Sequence, residues 1–230
     1  LSLMGDDAVG TFRGENKITM KSRVLKFLAW AIQPFVQAII SKSPNLESVV
    51  YRKKVSYIIP NGVKLDRFDA TAGDFREELG LDPNKKYVLF LGNPADLNKN
   101  AALAEEAVKL LNRPDTELLT PFRVPHDKVA KYLNSADAFV MCSLSEGSPN
   151  VLKEAMACNC PLVATNVGDA AWVVGDTPGC YVSSHDPREF AKQLTKALDF
   201  AERVGRTKGY DHLLELGLDA PTIARRIISI

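Results

Sequence analysis

Two carboxylates carry the strongest chemical hint in this chain. Glu146 and Glu154 are separated by seven residues, in the run Glu-Gly-Ser-Pro-Asn-Val-Leu-Lys-Glu. Between them, Pro149 is expected to open a helix at a position where its missing N–H costs nothing, with Ser148 as the N-cap. Unpaired backbone N–H groups and the positive end of the helix dipole then make this spot suited to a phosphate. Glu154 falls on the helix face of Asn150 and Val151. A carboxylate beside an anion site does not bind the anion. It suits hydroxyl groups on either side of it, because an ionised carboxylate accepts from two neighbouring hydroxyls. The spacing alone is weak, since 28 acidic residues in 230 produce many such pairs by chance. Its setting between two short apolar runs is more specific.

Those runs belong to a pattern. From Tyr87 onward, strand-length apolar stretches alternate with helix-period segments. The expected strands are Tyr87–Leu91, Glu117–Thr120, Ala138–Cys142, Leu162–Thr165 and Cys180–Val182. The expected helices are Lys99–Leu111, His126–Ser135, Pro149–Cys158 and Pro187 to about Ala201. Strands apolar on both faces and separated by helices imply an α/β, doubly wound parallel sheet, with ligands at the carboxyl ends of its strands. The first sixty residues read as the end of another α/β unit, with strands at Phe35–Ile40 and Ser56–Ile59 and a short helix at Pro44–Val50. Pro60-Asn61-Gly62 then breaks the chain. We expect a unit over residues 1–62, a ligand-binding unit over residues 63–206, and a tail of two helices over residues 207–230.

Several functions are excluded or disfavoured. A net charge of +1 lacks the basic footprint of nucleic-acid binding. There is no G-x-G-x-x-G, no Walker-type loop and no G-x-S-x-G elbow. His126, His185 and His212 have no His or Cys at ligand spacing, and His126 reads as a capping or surface residue at a helix start. Cys158 and Cys160 are too close for a zinc pair, and four cysteines make no disulfide framework at this size. No metal site is expected, and reduced cysteines fit a cytoplasmic location. Leu1 is not an initiator Met, so an upstream segment is expected to be absent, and no signal peptide opens the chain. Val24–Ile40 is too polar to span a bilayer. Lys17, Lys21, Arg23 and Lys26 beside Leu25, Phe27, Leu28 and Trp30 read first as a core-facing helix with a solvated basic edge, and second as a membrane-surface helix.

Glu146 through Met156, followed by Cys160-Pro-Leu-Val-Ala-Thr-Asn-Val-Gly168, resembles the donor-site signature of glycosyltransferase family 4. Tyr57 through Phe68 is similar to that family's domain-joining segment, Val88–Gly92 to the first strand of its C-terminal domain, and Val124–Cys142 to its nucleotide-facing region. The resemblance implies a GT-B fold, two Rossmann-like units facing across a cleft, and retaining transfer from a nucleotide sugar without a metal. UDP- or GDP-sugars would be substrates, so no cofactor is implied. Glu146 would then bind the donor sugar at the reacting centre and Glu154 the ribose. Backbone N–H groups near Gly147, Ser148, Asn150, Val151 and Leu152 would hold the diphosphate. Lys99 stands at about the place of the family's phosphate lysine, whereas Asn93 follows Gly92 where an Arg is usual. Arg123 or Val124 would lie nearest the base. At the start of the chain Met4 replaces a common His, with Asp6 and Asp7 next to it, and most of the acceptor-side domain would precede residue 1.

The leading expectation is therefore a metal-independent, hexosyltransferase-type enzyme of glycan or lipid-linked polysaccharide biosynthesis, acting in the cytoplasm or at the inner face of the cytoplasmic membrane. Its partners would be a nucleotide-sugar donor and a glycan or lipid-linked acceptor, and its oligomeric state is not set by the sequence. The alternative is a non-catalytic sugar-nucleotide-binding subunit, motivated by Met4 and Asn93. A hydrolase or epimerase on the same fold is disfavoured by the lack of catalytic histidines.

Overall fold

The computed structural model describes residues 1–4, 20–68 and 73–230. Asp6, Asp7 and Lys17, together with the side chain of Lys21, lie outside the described residues.

Two all-parallel sheets organise the chain. The first is small and runs in the order β1 (Ser2–Leu3), β2 (Ile39–Ser41), β3 (Ser56–Ile58). Its Leu3 and Ile39 form a compact cluster with Leu46 and Val50. The helices α1 (Met20–Ala31) and α2 (Pro44–Glu47) belong to this part. The strand expected at Phe35–Ile40 starts later, at Ile39. Pro34 fixes the backbone of a 3-10 turn over Gln33–Phe35 instead, and Phe35 is left exposed. Helix α1 also departs from the core-facing reading. Ala29 packs on the small cluster, while Val24, Phe27, Leu28 and Trp30 point outward.

The second sheet has five strands, β4 (Lys86–Phe90), β5 (Thr116–Leu119), β6 (Ala138–Met141), β7 (Leu162–Thr165) and β8 (Cys180–Ser183), in the order β5-β4-β6-β7-β8. Alternate residues feed opposite cores. Phe139 and Met141 of β6 join Leu162 and Ala164 of β7 on one face, under α4 (His126–Ser135), α5 (Asn150–Ala157), α6 (Ala170–Val174) and α8 (Gly209–Glu215). Ala138, Val140 and Val163 face the other way. There Ala101, Ala104 and Ala107 of α3 (Ala101–Leu111) lie beside Phe190, Leu194 and Leu198 of α7 (Pro187–Val204). Burial on both faces is why these strands read as continuous apolar runs. The α/β parallel architecture is as the sequence implies, and α6 is an element that the sequence reading did not separate from its flanking loops. All four cysteines are free and buried.

The last helix, α9 (Ala220–Ile228), returns to the first sheet. Val63 N–H donates to Leu218 O at 2.9 Å, and Ala220 N–H to Val63 O at 2.9 Å. A Cβ on Gly62 would stand 3.0 Å from both Ala220 Cα and Ile223 Cγ1, so the segment joining the sheets runs tightly under this helix. Arg226 donates to Ile58 O at 3.4 Å.

Candidate functional site

The strand order reverses between β4 and β6: from β4 the chain moves outward to β5, then returns to the other side. The loops that leave these two strands at their carboxyl ends must diverge, which opens a crevice where doubly wound folds take their ligands. Here one loop runs from Gly92 to Asn100 and the other from Cys142 to Pro149. They are stitched together by Leu144 N–H donating to Asn98 O at 2.8 Å and by Asn98 Nδ2 donating to Ser145 O at 3.0 Å.

That stitching brings Lys99 to Glu146, with Nζ 2.6 Å from Oε1. Both side chains are partly exposed, so the pair is open to a ligand. Gly92 backs the Lys99 stem: a Cβ there would be 3.4 Å from Lys99 Cγ. Asn93 builds the turn that follows, its Oδ1 accepting from Ala95 N–H at 3.1 Å and its carbonyl from Asp96 N–H at 3.0 Å. Gly147 is pinched, because a Cβ would lie 2.7 Å from Met4 O and 2.8 Å from Leu46 Cδ1. The Glu146–Gly147 turn thus sits directly against the carboxyl end of β1.

The start of α5 differs from the sequence expectation. Pro149 occupies the N-cap position and the helix begins at Asn150. Ser148 makes no capping bond, and its hydroxyl is turned into the protein instead. It donates to Asp169 Oδ2 at 2.6 Å and accepts from Lys153 Nζ at 2.5 Å and from Asn61 N–H at 3.0 Å. Lys153 is fully buried and lies 3.0 Å from Asp169 Oδ2. Burial pulls the Lys153 ammonium below its ordinary range, and Asp169 opposes that shift. This buried cluster was not legible in the sequence, where Lys153 sits among helix residues of ordinary type. The consequence for the site is that the first-turn N–H groups of Asn150, Val151 and Leu152, which lack an intrahelical carbonyl, are not covered by the Ser148 side chain. Leu152 itself is buried, so only its backbone can serve a ligand.

Glu154 lies one turn further along. Burial raises its carboxyl above the usual range, and the His126 imidazole counters this. His126 Nε2 lies 3.5 Å from Glu154 Oε1, and its ring meets Phe68 edge-on at 5.8 Å. The capping and surface reading of His126 is thus incomplete: it is exposed, yet it faces a candidate site carboxylate. Arg123 and Val124 lie just upstream, in the loop between β5 and α4. Arg123 has a left-handed φ of 56°, and its guanidinium stands 5.3 Å from the centre of the Phe122 ring. Among the described residues, no group of three or more His, Cys, Asp or Glu is arranged to hold a metal ion.

The architecture has known counterparts. The family model described as glycosyl transferases group 1 matches residues 88–199, which is the stretch from β4 into α7. The chain carries a glycosyl transferases group 1 domain. Within that domain lie Gly92, Asn93, Lys99, Arg123, Val124, Glu146 and Glu154, whereas Met4, Leu46, Asn61 and Phe68 lie outside it. Among curated relatives, the putative teichuronic acid biosynthesis glycosyltransferase TuaC of Bacillus subtilis is 26% identical over 159 residues, covering 61% of this chain and 41% of the relative. D-inositol 3-phosphate glycosyltransferase 2 of Catenulispora acidiphila is 30% identical over 212 residues, covering 74% of this chain and 49% of the relative. The chain therefore spans less than half the length of either relative. Among solved structures, sucrose-phosphate synthase from Thermosynechococcus elongatus superposes with a TM-score of 0.77 at 20% identity, covering 95% of this chain and 63% of that one. HepE of Anabaena, solved in complex with UDP, gives 0.72 at 17% identity, covering 90% and 67%. These likenesses extend the shared fold beyond the group 1 domain to the small first sheet.

Proposed function

We propose that this chain is the donor-binding part of a retaining glycosyltransferase, which moves a hexose from a nucleoside-diphosphate sugar to a hydroxyl of a glycan or lipid-linked acceptor in polysaccharide biosynthesis. The observation that carries this reading is the meeting of Lys99, Glu146 and the open first turn of α5 at the switch point between β4 and β6.

In this reading the diphosphate lies over the α5 N-terminus, with Lys99 as its cation. Charge develops on the leaving diphosphate as the bond from the anomeric carbon to the phosphate oxygen breaks, and preorganised N–H groups and Lys99 stabilise it there. The chemistry needs no metal. The acceptor oxygen forms the new bond on the same face of the sugar, and its proton passes to a phosphate oxygen of the donor, which gives retention. Glu146 pairs with Lys99 through Oε1 and keeps lone pairs for sugar hydroxyls, while Glu154 accepts from the ribose. Arg123 and Val124 border the base. In a protein as long as these relatives, the part outside this chain would supply most of the acceptor side. A cytoplasmic, membrane-peripheral setting suits the outward Phe27, Leu28 and Trp30 of α1 and the exposed Arg23 beside them.

A thermal-shift panel of UDP, GDP, ADP and their sugars tests the reading. A nucleotide at a hundred times its Kd stabilises by about 2.7 kcal/mol, which for a chain of this size raises Tm by roughly 5–10 °C. At least one nucleotide family should do so. A folded chain unmoved by all of them would contradict the assignment.

A further inference from the structure

Behind the Glu146–Gly147 turn, where β3, the joining segment and α9 meet the loop after β7, lies a cavity of about 390 Å³. It is walled by Lys42, Ile58, Pro60, Asp169, Trp172 and Arg226, among others. Its size falls in the range of small-molecule sites, about 300–1,000 Å³, and interfaces between structural units are where such sites concentrate. Gly168 forms part of the wall with a φ of +60°. A Cβ there would collide with Gly147 O, so the wall is pressed onto the donor-side turn.

Two side chains in this wall keep a polar atom without a hydrogen-bond or ion-pair partner among the described residues. Lys42, at the carboxyl end of β2, is 7% exposed, and among the described residues it has neither an ion pair nor a hydrogen bond. Burial pushes its ammonium below the ordinary lysine range. Asp169 spends Oδ2 on Lys153 and Ser148, but among the described residues its buried Oδ1 has no donor. Buried lysines without partners are rare because the charge loses its hydration and gains nothing in return. Arg226 adds a second cation at the rim, and the half-exposed Trp172 offers an apolar face beside Ile58 and Pro60.

We propose that this cavity is a second ligand site, taking a small hydroxylated anion: a phosphate or carboxylate group on a sugar-like ring. The anion pairs with Lys42 and Arg226, a hydroxyl of the ring donates toward Asp169, and the ring packs against Trp172. The site uses none of Lys99, Glu146 or Glu154, and the inference does not rest on the donor assignment.

The test is calorimetry and thermal shift on the full chain with glucose 6-phosphate, glucuronate and, as the neutral control, glucose. At least one of the two anions should bind and raise Tm, and glucose should not. The two anions separate a phosphate site from a carboxylate site. Lys42→Met should weaken anion binding by about ten- to a hundredfold, the usual effect of losing a bond to a charged group, and should raise the Tm of the ligand-free chain. Trp172→Ala, at a half-exposed position, should weaken binding without loss of folding. Lys99→Met should leave it unchanged. The proposal is overturned if neither anion binds, if binding survives both Lys42→Met and Trp172→Ala, or if Lys42→Met lowers the ligand-free Tm. Loss of binding in Lys99→Met but not in Lys42→Met would assign the anion to the donor crevice and likewise overturn it.

Discussion

Glu146 and Glu154 stand in different surroundings, and the division of tasks proposed for them follows that difference. Glu146 is held by Lys99 at the rim of the crevice, whereas Glu154 is set deeper on α5, with burial raising its pKa and His126 opposing. If Glu154 holds the ribose, Glu154→Gln should weaken a bare nucleoside diphosphate by about ten- to a hundredfold. Glu146→Gln should leave that affinity nearly unchanged and lower kcat for the full donor in the intact enzyme. Equal losses of bare-nucleotide affinity would refute the division. Glu154→Gln has a second readout. The folded-state pKa of Glu154 lies above its unfolded value, so below both values ionisation costs neither state. As pH rises through the folded pKa, the wild type must ionise a buried acid and loses stability that the Gln variant keeps. Denaturant melts at several pH values should therefore show the variant gaining relative to wild type toward neutral pH. The two glutamates were legible from spacing and resemblance. The His126–Glu154 contact was not, because it joins two helices whose separation no local pattern encodes.

At the scale of elements, the placement of α5 rests on a feature that the sequence hid. Alternating apolar runs identify the five strands to within a residue or two, since burial on both faces leaves a clear signature. The α5 start is different. Pro149 and Ser148 read as first residue and cap, yet Lys153 and Asp169 draw the Ser148 hydroxyl inward and shift the helix to begin at Asn150. Asn61 completes the cluster by donating from Nδ2 to Ser148 O at 2.9 Å, which ties the joining segment to the crevice helix. Breaking a buried ion pair by removing one partner costs about 3–5 kcal/mol. Lys153→Met should lose about that much in urea denaturation, because it strands Asp169. The double variant Lys153→Met/Asp169→Leu should lose less than the single one. A single variant within about 0.5 kcal/mol of wild type would show that the cluster does not hold α5 in place.

Across the whole molecule, the five-stranded sheet brings the loops after β4 and β6 together at its switch point, and the small first sheet abuts the same crevice through Met4 and Leu46. The parallel architecture followed from the sequence, but the tight run of Gly62 beneath α9 and the cavity behind the donor turn did not, since both arise from contacts between distant segments. The proposed donor contacts all lie within this chain, so this chain by itself should bind the nucleotide. Glu154 and the ribose are the hinge of the account, and removing the ribose hydroxyls from the ligand probes them without altering the protein. Calorimetric titration should therefore compare the nucleoside diphosphate that binds best with its 2′,3′-dideoxy counterpart. The dideoxy form should bind about ten- to a hundredfold more weakly, with the gap largely closed in Glu154→Gln. Equal affinity of the two ligands for the wild-type chain, or no binding of either by the folded protein, would contradict it.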